Sequence, residues 1–169
     1  MASRISDKSS PLRALIERAE RGLSLRVGVF GASASEPKEG ADSAVTVLDV
    51  ATWNEFGTTR EGPGGARTQH VPPRPFIGGW YDEHESAARD LVRKVSRAML
   101  VGKISHHAAH ALVGTAFVGQ IQRRIADGVQ PANAPSTIAR KGSSKPLIDS
   151  GQLRSSIAWE SVPPPEKGR

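Results

Sequence analysis

The sequence contains no cysteine, few aromatic residues and no long apolar run. Without cysteine, disulfide frameworks, thiolate zinc sites and cysteine nucleophiles are excluded. Aromatic residues make up 5% of the 169 residues, which disfavours a stacking platform for single-stranded nucleic acid. No apolar stretch approaches the roughly 20 residues that a membrane span requires, and residues 1–10 lack the apolar centre of a signal peptide. We therefore expect a soluble protein, made in a reducing cytoplasm, that does not enter a membrane.

The spacing of apolar residues predicts a chain with more helix than strand. Helical spacing predicts a short N-terminal helix before Gly22, a helix over residues 49–56, and two long helices that lie between Ile77 and Gly102 and between Ser105 and Gly128. Alternation predicts strands over residues 23–30, around Val45 and Val47, and over 154–162. Glycine, proline and charge predict flexible, irregular loops at residues 31–43, 57–73 and 129–146. The length predicts one domain over residues 1–162, followed by a proline-rich tail at 163–169.

The charge balance is basic. There are 23 lysines and arginines against 17 aspartates and glutamates, a net charge of +6. Such a balance favours polyanionic neighbours, either nucleic acid or an acidic protein face. The densest basic group lies along the first long helix and consists of Arg89, Arg93, Lys94, Arg97 and Lys103. A basic nucleic-acid-binding module is therefore an alternative function supported by charge, and solubility alone explains the same charge.

Motifs for catalysis, nucleotide binding or metal binding are weak. The glycines within residues 62–65 lack the lysine and the strand-to-helix setting of a phosphate-binding loop. His84 and Glu85 are adjacent in sequence and do not share a helix face, so they form no hydrolytic pair. His106 and His110 lie one helical turn apart and are the best metal candidates, but two imidazoles need a third ligand. We therefore predict no enzyme activity, no cofactor and no metal site.

Three short motifs stand out. Residues 50–58 contain Glu-Phe-Gly-Thr, residues 71–77 contain Pro-Pro-Arg-Pro-Phe-Ile, and residues 147–157 contain Asp-Ser-Gly-Gln-Leu-Arg-Ser-Ser-Ile. They resemble the Glu-Phe-Gly-Thr, Pro-x-Arg-Pro-Phe-Leu/Ile and Asp-Thr/Ser-Gly-x-Leu-Arg-x-Ser-Ile elements of the tail-completion and neck proteins of tailed bacteriophages. One such element alone is weak, whereas all three in a small basic chain without cysteine are fairly specific. In many relatives the third element precedes the first, and here it follows near the C-terminus.

The resemblance implies an α+β fold and a role in a virion. The fold would be a small, mostly antiparallel sheet flanked by two long helices and a short N-terminal helix, with long irregular loops. The protein would be a structural virion protein that forms a homo-oligomeric ring, often of six copies, at the neck or the head-proximal end of the tail. Its partners would be the head–tail connector or adaptor and the tail terminator or tail-tube proteins, with genome DNA passing through the lumen. A tail terminator or tail-tube-associated protein is the alternative within the same particle, which would be assembled in the bacterial cytoplasm.

The motif residues are also the predicted assembly residues. They are Glu55, Phe56, Arg74, Phe76, Trp80, Asp149, Gly151, Leu153 and Arg154. Pro73 and Pro75 preset the backbone on both sides of Arg74, and we expect Arg74 to form an ion pair with Glu55 within or between subunits. An equally good hypothesis is that these residues only stabilise the monomer.

The other motif residues have predicted packing roles. Phe56 is expected to bury its ring where the chain leaves its helix, and Phe76 and Trp80 to anchor the start of the first long helix. Asp149 is expected to accept backbone N–H groups in a tight turn fixed by Gly151. The loops are expected to become ordered against neighbouring subunits in an assembled particle.

Overall fold

Seven helices and four short strands form the described part of the chain, residues 11–39, 45–61, 67–142 and 144–163, in this computed structural model. The helices are α1 (Pro11–Arg21), α2 (Gly31–Ser35), α3 (Val47–Phe56), α4 (Gly78–Leu100), α5 (His106–Asp127), α6 (Pro135–Lys141) and α7 (Gln152–Ser155). The strands are β1 (Leu25–Gly28), β2 (Thr58–Glu61), β3 (Arg67–Val71) and β4 (Ala158–Ser161). The predicted α+β class, with two long helices and antiparallel strands, is confirmed.

Helices α4 and α5 pack against each other as an antiparallel pair and form the centre of the fold. Gly102, at φ +77°, ends the first helix, and the Ser105 hydroxyl oxygen caps the second by accepting the Ala108 N–H at 3.1 Å. The two helices meet through the tilted rings of Trp80 and Phe117, whose centroids are 5.0 Å apart. Both long helices and their ends agree with the sequence prediction.

The strands form two separate antiparallel ribbons. In the first, β1 pairs with β4, and Val27 lies opposite Trp159. This ribbon lies on α5, where the Trp159 indole occupies the space that a Cβ of Gly114 would need. In the second ribbon, β2 and β3 form a hairpin. Among the described elements, the hairpin strands pack extensively only with each other.

Two groups of buried side chains form the core. The larger group joins α3, the start of α4, the second half of α5 and the C-terminal segment, and contains Val47, Ala51, Phe76, Trp80, Ala88, Ile121, Ile125, Val129, Leu147, Leu153 and Ile157. The smaller group lies between the end of α4 and the start of α5 and contains Val95, Met99, Ala109 and Val113. The apolar faces of the two long helices therefore supply much of both groups.

The structure corrects the prediction that residues 57–73 are irregular. Residues Thr58–Glu61 and Arg67–Val71 pair as the strands of the hairpin, with a bulge between Thr58 and Thr59. The two segments contain β-branched residues and flank a glycine-rich connection, which is a known hairpin pattern. The connection itself, residues 62–66, lies outside the described residues. The apolar alternation that normally indicates a strand is missing from β2, where Thr58 is half-buried and Thr59, Arg60 and Glu61 are exposed.

Four further segment predictions are also corrected. The expected strand around Val45 and Val47 is instead the start of α3: Thr46 caps this helix in a capping box with Asp49. The predicted loops at residues 31–43 and 129–146 contain the short helices α2 and α6, and residues 40–44 and 143 lie outside the described residues. The predicted strand over 154–162 begins only at Ala158, because the preceding residues form α7. Residues 164–169 of the predicted tail also lie outside the described residues.

No helix within the described ranges is both long enough and apolar enough to cross a bilayer.

A candidate assembly site around helix α3

The Glu55 carboxylate caps the start of α4. Its Oε2 accepts the backbone N–H groups of Phe76 at 2.8 Å and Ile77 at 3.1 Å, and its Oε1 accepts the N–H of Gly78 at 2.7 Å. Ile77, at the N-cap position, has no side-chain acceptor of its own. A carboxylate satisfies free N–H groups and is favoured by the positive end of the helix dipole. Glu55 therefore joins the first two sequence motifs directly.

Two glycines let charged side chains approach this helix start closely. A Cβ at Gly78 would lie 3.0 Å from Glu55 Oε1. A Cβ at Gly79 would lie 2.7 Å from Nη2 of Arg124, whose Nη1 pairs with the Glu83 carboxylate. Any larger residue at these two positions would displace the charged groups that hold the first turn of α4.

Arg74 is buried, with 7% of its surface exposed, and binds backbone carbonyl groups. Its Nε donates to Pro131 O at 2.8 Å and its Nη2 donates to Ala132 O at 3.3 Å. Its backbone N–H donates to Asn54 O at 2.5 Å. Burial lowers the pKa of the Arg74 guanidinium. Arg74 thus ties the segment after α5 to the end of α3.

The predicted ion pair between Arg74 and Glu55 is not formed among the described residues. Both oxygens of Glu55 accept backbone N–H groups of the α4 start, while the guanidinium of Arg74 donates to carbonyl oxygens on the other side of the segment. Each charged group therefore satisfies backbone atoms that would otherwise be buried without partners. The predicted pairing of Glu55 with Arg74 is therefore wrong within the chain, where the two residues lie in the same region but bind different backbone groups.

The third motif packs against the other side of α3. Gly151 adopts the left-handed conformation at φ +87° that starts α7, in agreement with the predicted tight turn. Asp149 Oδ2 accepts a hydrogen bond from Lys38 Nζ at 2.8 Å, an interaction that the sequence did not indicate. Gln152 binds the same segment through Pro37 O at 3.0 Å and the Glu39 N–H at 2.9 Å. Residues 147–153 therefore hold the segment that leads into α3.

The three motifs consequently form one packed unit. Val47 and Ala51 of α3, Phe76 of the second motif, and Leu153 and Ile157 of the third belong to the same buried group. These positions are more than 100 residues apart at the extremes of the sequence. The resemblance in sequence therefore corresponds to one continuous region of the structure.

Helix α3 carries apolar residues on the side that packs into the core and also on the opposite side, which is exposed. Phe56 exposes 77% of its surface, which corrects the expectation that its ring is buried. Leu48 and Trp53 are also large, apolar and exposed on this helix. Leu48, Thr52 and Phe56 are spaced by four residues and so share one helix face. We call the exposed residues Leu48, Thr52, Trp53 and Phe56 the outer face of α3.

The predicted assembly residues divide into three groups. Arg74, Phe76, Trp80 and Leu153 are buried within the chain and therefore serve its own fold. Phe56 and Arg154 are exposed and available to another molecule, and Glu55, Asp149 and Gly151 hold turns and helix ends beside them. Sequence reasoning missed Leu48 and Trp53. These two residues could have been recognised from the sequence, because apolar residues occur on every side of the short helix in this region.

The candidate metal histidines bind backbone carbonyl groups instead. His106 Nε2 lies 2.8 Å from Gly22 O. His110 is buried, with Nδ1 at 2.9 Å from His106 O and Nε2 at 3.0 Å from Ser24 O. Within the described part of the chain, no group of three or more His, Asp or Glu side chains is placed to hold a metal ion. The two histidines therefore attach the connection between α1 and β1 to the start of α5.

Ion pairs neutralise part of the basic group on α4. Arg89 pairs with Glu85 at 2.6 Å, and Arg93 pairs with Asp90 at 2.6 Å. Hydrogen bonding and the nearby positive charge of Arg89 lower the pKa of Glu85. The helix surface is therefore less positive than a count of its lysines and arginines indicates, which weakens the case for a nucleic-acid interface.

A cleft lies between the start of α4 and the end of α5. Its volume is about 570 Å³, and it is lined by Trp80, Glu83, His84, Arg123, Arg124 and Asp127, among others. Glu83 and Arg124 form an ion pair across it, and the hydrogen bond from Arg124 lowers the pKa of Glu83. Since charges of both signs line an open cleft, its chemistry favours no particular substrate.

No model of a known protein family matches the chain, and no curated protein or solved structure is significantly similar to it.

Proposed function

We propose that this chain is a structural virion protein of a tailed phage that acts in tail completion or head–tail joining. It would form a homo-oligomeric ring at the neck or at the head-proximal end of the tail. The observation that carries the proposal is the packing of the three motif segments around α3 with Phe56 left 77% exposed. A motif that is built into the core and still presents a large aromatic side chain to solvent is suited to binding another protein.

The outer face of α3 has the composition of a protein–protein contact. Large exposed apolar patches on monomers often mark interaction sites. Tryptophan and other aromatic residues contribute much of the binding energy at such sites, and Trp53 and Phe56 lie on this one short helix. The buried contacts of Glu55 and Val47 fix the helix beneath them, so little order would be lost on binding.

The β2–β3 hairpin is a second feature that supports assembly. It begins directly after Gly57, which ends α3. A two-stranded hairpin without other packing is marginally stable in water. Within the described residues each of its strands pairs with one strand only, and addition of a further strand would extend the sheet. In a ring, this hairpin would reach a neighbouring subunit or an adjoining layer of the virion, such as the connector or the tail terminator and tail tube. Genome DNA would pass through the lumen.

Deletion of the gene in a phage that encodes this chain tests the proposal. The expected result is DNA-filled heads and separate tails in electron micrographs, because the joint between them is incomplete. Tails of irregular length would instead support the alternative role as a tail terminator. Normal tailed particles at the wild-type titre would contradict any virion role.

A complementation experiment tests whether the phenotype of the deletion depends on α3. A plasmid copy with Phe56→Ser should fail to restore joined particles, because it removes the exposed ring and leaves the buried contacts intact. A copy with Thr52→Ser is the matched control on the same face: it keeps the hydroxyl group that donates to Leu48 O at 2.8 Å, and it should restore them.

A further inference from the structure

Both ring nitrogens of His110 face backbone carbonyl oxygens. Nδ1 lies 2.9 Å from His106 O and Nε2 lies 3.0 Å from Ser24 O, and only 2% of the residue is exposed. A carbonyl oxygen can only accept a hydrogen bond, whereas a neutral imidazole has one N–H group and one lone pair. A neutral ring therefore satisfies one of the two contacts in either tautomer, and its other nitrogen turns a lone pair toward an oxygen.

The doubly protonated ring is the form that satisfies both contacts. An imidazolium ion has an N–H group on each nitrogen and can donate to both carbonyl oxygens at once. Hydrogen bonds from a charged donor are also stronger than those from a neutral one. Burial opposes the charge, so the two carbonyl groups have to offset the loss of water around it. The positive end of a helix acts mainly within the first turn, and His110 is the fifth residue of α5.

The contacts of His110 join three elements of the fold. Ser24 O also accepts the N–H of Val162, directly after β4, at 3.0 Å, and His106 Nε2 lies 2.8 Å from Gly22 O. One N–H group on a neutral His106 ring is enough for that contact. The centroids of the two histidine rings are 4.2 Å apart, so repulsion disfavours a charge on both. We call these two histidines and the carbonyl groups of Gly22 and Ser24 the histidine clasp.

The charged and titratable side chains on the elements around the clasp carry both signs and are exposed or partly exposed. The acidic ones are Glu17 and Glu20 of α1 and Glu160 of β4. The others are Arg18 and Arg21 of α1, Arg26 of β1, Arg97 and Lys103 at the end of α4, and His107 of α5. Charges in contact with water are screened, whereas the two carbonyl groups face the buried ring directly. The carbonyl groups therefore have the stronger influence on the protonation of His110.

We infer that the histidine clasp is a pH-dependent attachment of α1. Histidine side chains change charge between about pH 5 and pH 8. At the acidic end of this range His110 donates to both carbonyl oxygens, and the clasp is closed. At the other end the ring keeps one of the two bonds, and the connection between α1 and β1 is held less firmly. Helix α1 has no buried residue, so this loosening frees α1 before the rest of the fold. The inference is independent of the proposed virion role.

Nitrogen NMR of the His110 ring tests its protonation directly. The two ring nitrogens give similar chemical shifts when both carry hydrogen, and widely separated shifts in a neutral ring with one tautomer. In the folded protein we expect two N–H groups on this ring at about pH 5 and one at about pH 8. A ring that stays in one state over this range would overturn the inference. One N–H group throughout would show that burial excludes the second proton, and two throughout would show a permanent cation.

Hydrogen exchange measures the attachment itself. The probes are the amides of residues 22–25 and the amide of Val162, which donates to Ser24 O. Their protection factors, corrected for the intrinsic exchange rate at each pH, should fall about threefold to tenfold between about pH 5 and pH 8, the change expected from one hydrogen bond. Amides in the middle of α5, such as that of Val118, should keep their protection factors and serve as the internal reference.

Two substitutions separate His110 from its neighbours. The amide of His110→Gln can donate a hydrogen bond but cannot gain a charge, so its protection factors should be equal at the two pH values. His107→Gln removes an exposed histidine of the same helix and should keep the wild-type dependence on pH. Dependence that persists in His110→Gln, or disappears in His107→Gln, would contradict the role of His110. If His110→Gln does not fold, the NMR titration of the unsubstituted protein still decides between the outcomes.

Discussion

Glu55 and Gly78 are fitted to each other: Glu55 Oε1 accepts the Gly78 N–H at 2.7 Å, and a Cβ at residue 78 would lie 3.0 Å from that same oxygen. The glycine admits the carboxylate to the start of α4, and the carboxylate replaces the side-chain cap that Ile77 cannot provide. Through this contact a glutamate of one motif and the residues after Arg74 in another form the same helix start.

Replacement of Glu55 by glutamine should destabilise the fold. The amide keeps one acceptor oxygen and turns the other into a donor, which would face backbone N–H groups that now have no acceptor. Hydrogen bonds to charged groups are worth about 1.5–3 kcal/mol, so we expect a loss of about 2 kcal/mol in the free energy of unfolding, measured by urea denaturation. Glu85→Gln on the exposed side of α4 is the control and should lose far less, because the ion pair with Arg89 that it breaks is exposed to solvent. Equal losses in the two variants would show that the cap is unimportant.

Two glycines of α5 should respond to alanine in opposite ways. At Gly114 a Cβ would overlap the Trp159 indole, whereas at Gly119 it would meet no atom within 4 Å. Gly114→Ala should therefore lower the free energy of unfolding by about 1–3 kcal/mol because it overpacks the contact between α5 and β4. Gly119→Ala should raise it by up to about 1 kcal/mol because alanine favours helix. Thermal unfolding of the two variants checks the sign of each change. A Gly114→Ala variant as stable as the wild type would contradict the overlap with Trp159, and destabilisation by Gly119→Ala would contradict the open space at residue 119.

The parts of the fold with strong periodicity could be predicted from the sequence. The two long helices, the Ser105 cap and the glycine at 102 follow local rules that act within a few residues. The hairpin after Gly57 could not be recognised in this way, because its stability depends on backbone pairing and its side chains do not alternate between apolar and polar. The spacing of Val45 and Val47 predicts a strand, whereas the capping pair Thr46 and Asp49 starts α3 at Val47.

The candidate site was only partly predictable for a different reason. The motifs pointed to Glu55 and Arg74, but within the chain the partners of these residues include backbone atoms 21 and 57 residues away. Backbone partners leave no complementary residue type in the sequence, so an ion pair between the two charged side chains was the natural but wrong hypothesis within the chain. The exposure of Phe56 likewise depends on which side of α3 the rest of the fold covers.

Substitutions of Phe56 and Phe76 should have different effects, the first on assembly and the second on folding. Phe76 is fully buried and Phe56 is 77% exposed. Phe76→Ala should cost about 3–5 kcal/mol in the free energy of unfolding, whereas Phe56→Ala should change it by less than about 0.5 kcal/mol. The measurement should use dilute protein, because self-association would add to the apparent stability. Analytical ultracentrifugation at high concentration should then show loss of oligomers in Phe56→Ala. A large loss of monomer stability in this variant would mean that its ring packs within the chain after all.

The capping box of α3 should make stability depend on pH in a defined direction. The Thr46 hydroxyl donates to Asp49 Oδ2 at 2.7 Å and the Thr46 N–H donates to it at 2.9 Å, and these bonds lower the pKa of Asp49 below its ordinary value of 3.8. A carboxyl group with a lowered pKa in the folded state stabilises the fold above pH 3.8, and this contribution is lost as the pH falls through the folded value.

Thr46→Val should therefore reduce the melting temperature most at pH 7, and its deficit relative to the wild type should shrink below pH 3.8. A pH-independent part should remain, because the Thr46 hydroxyl oxygen also accepts the Asp49 N–H at 3.2 Å. Thr46→Ser keeps the hydroxyl and should follow the wild type at every pH. The acidic groups paired with Arg89 and Arg124 titrate in all three proteins and cancel in the difference. A deficit that stays constant from pH 7 to pH 3, measured by circular dichroism, would show that the Asp49 charge does not contribute to the cap.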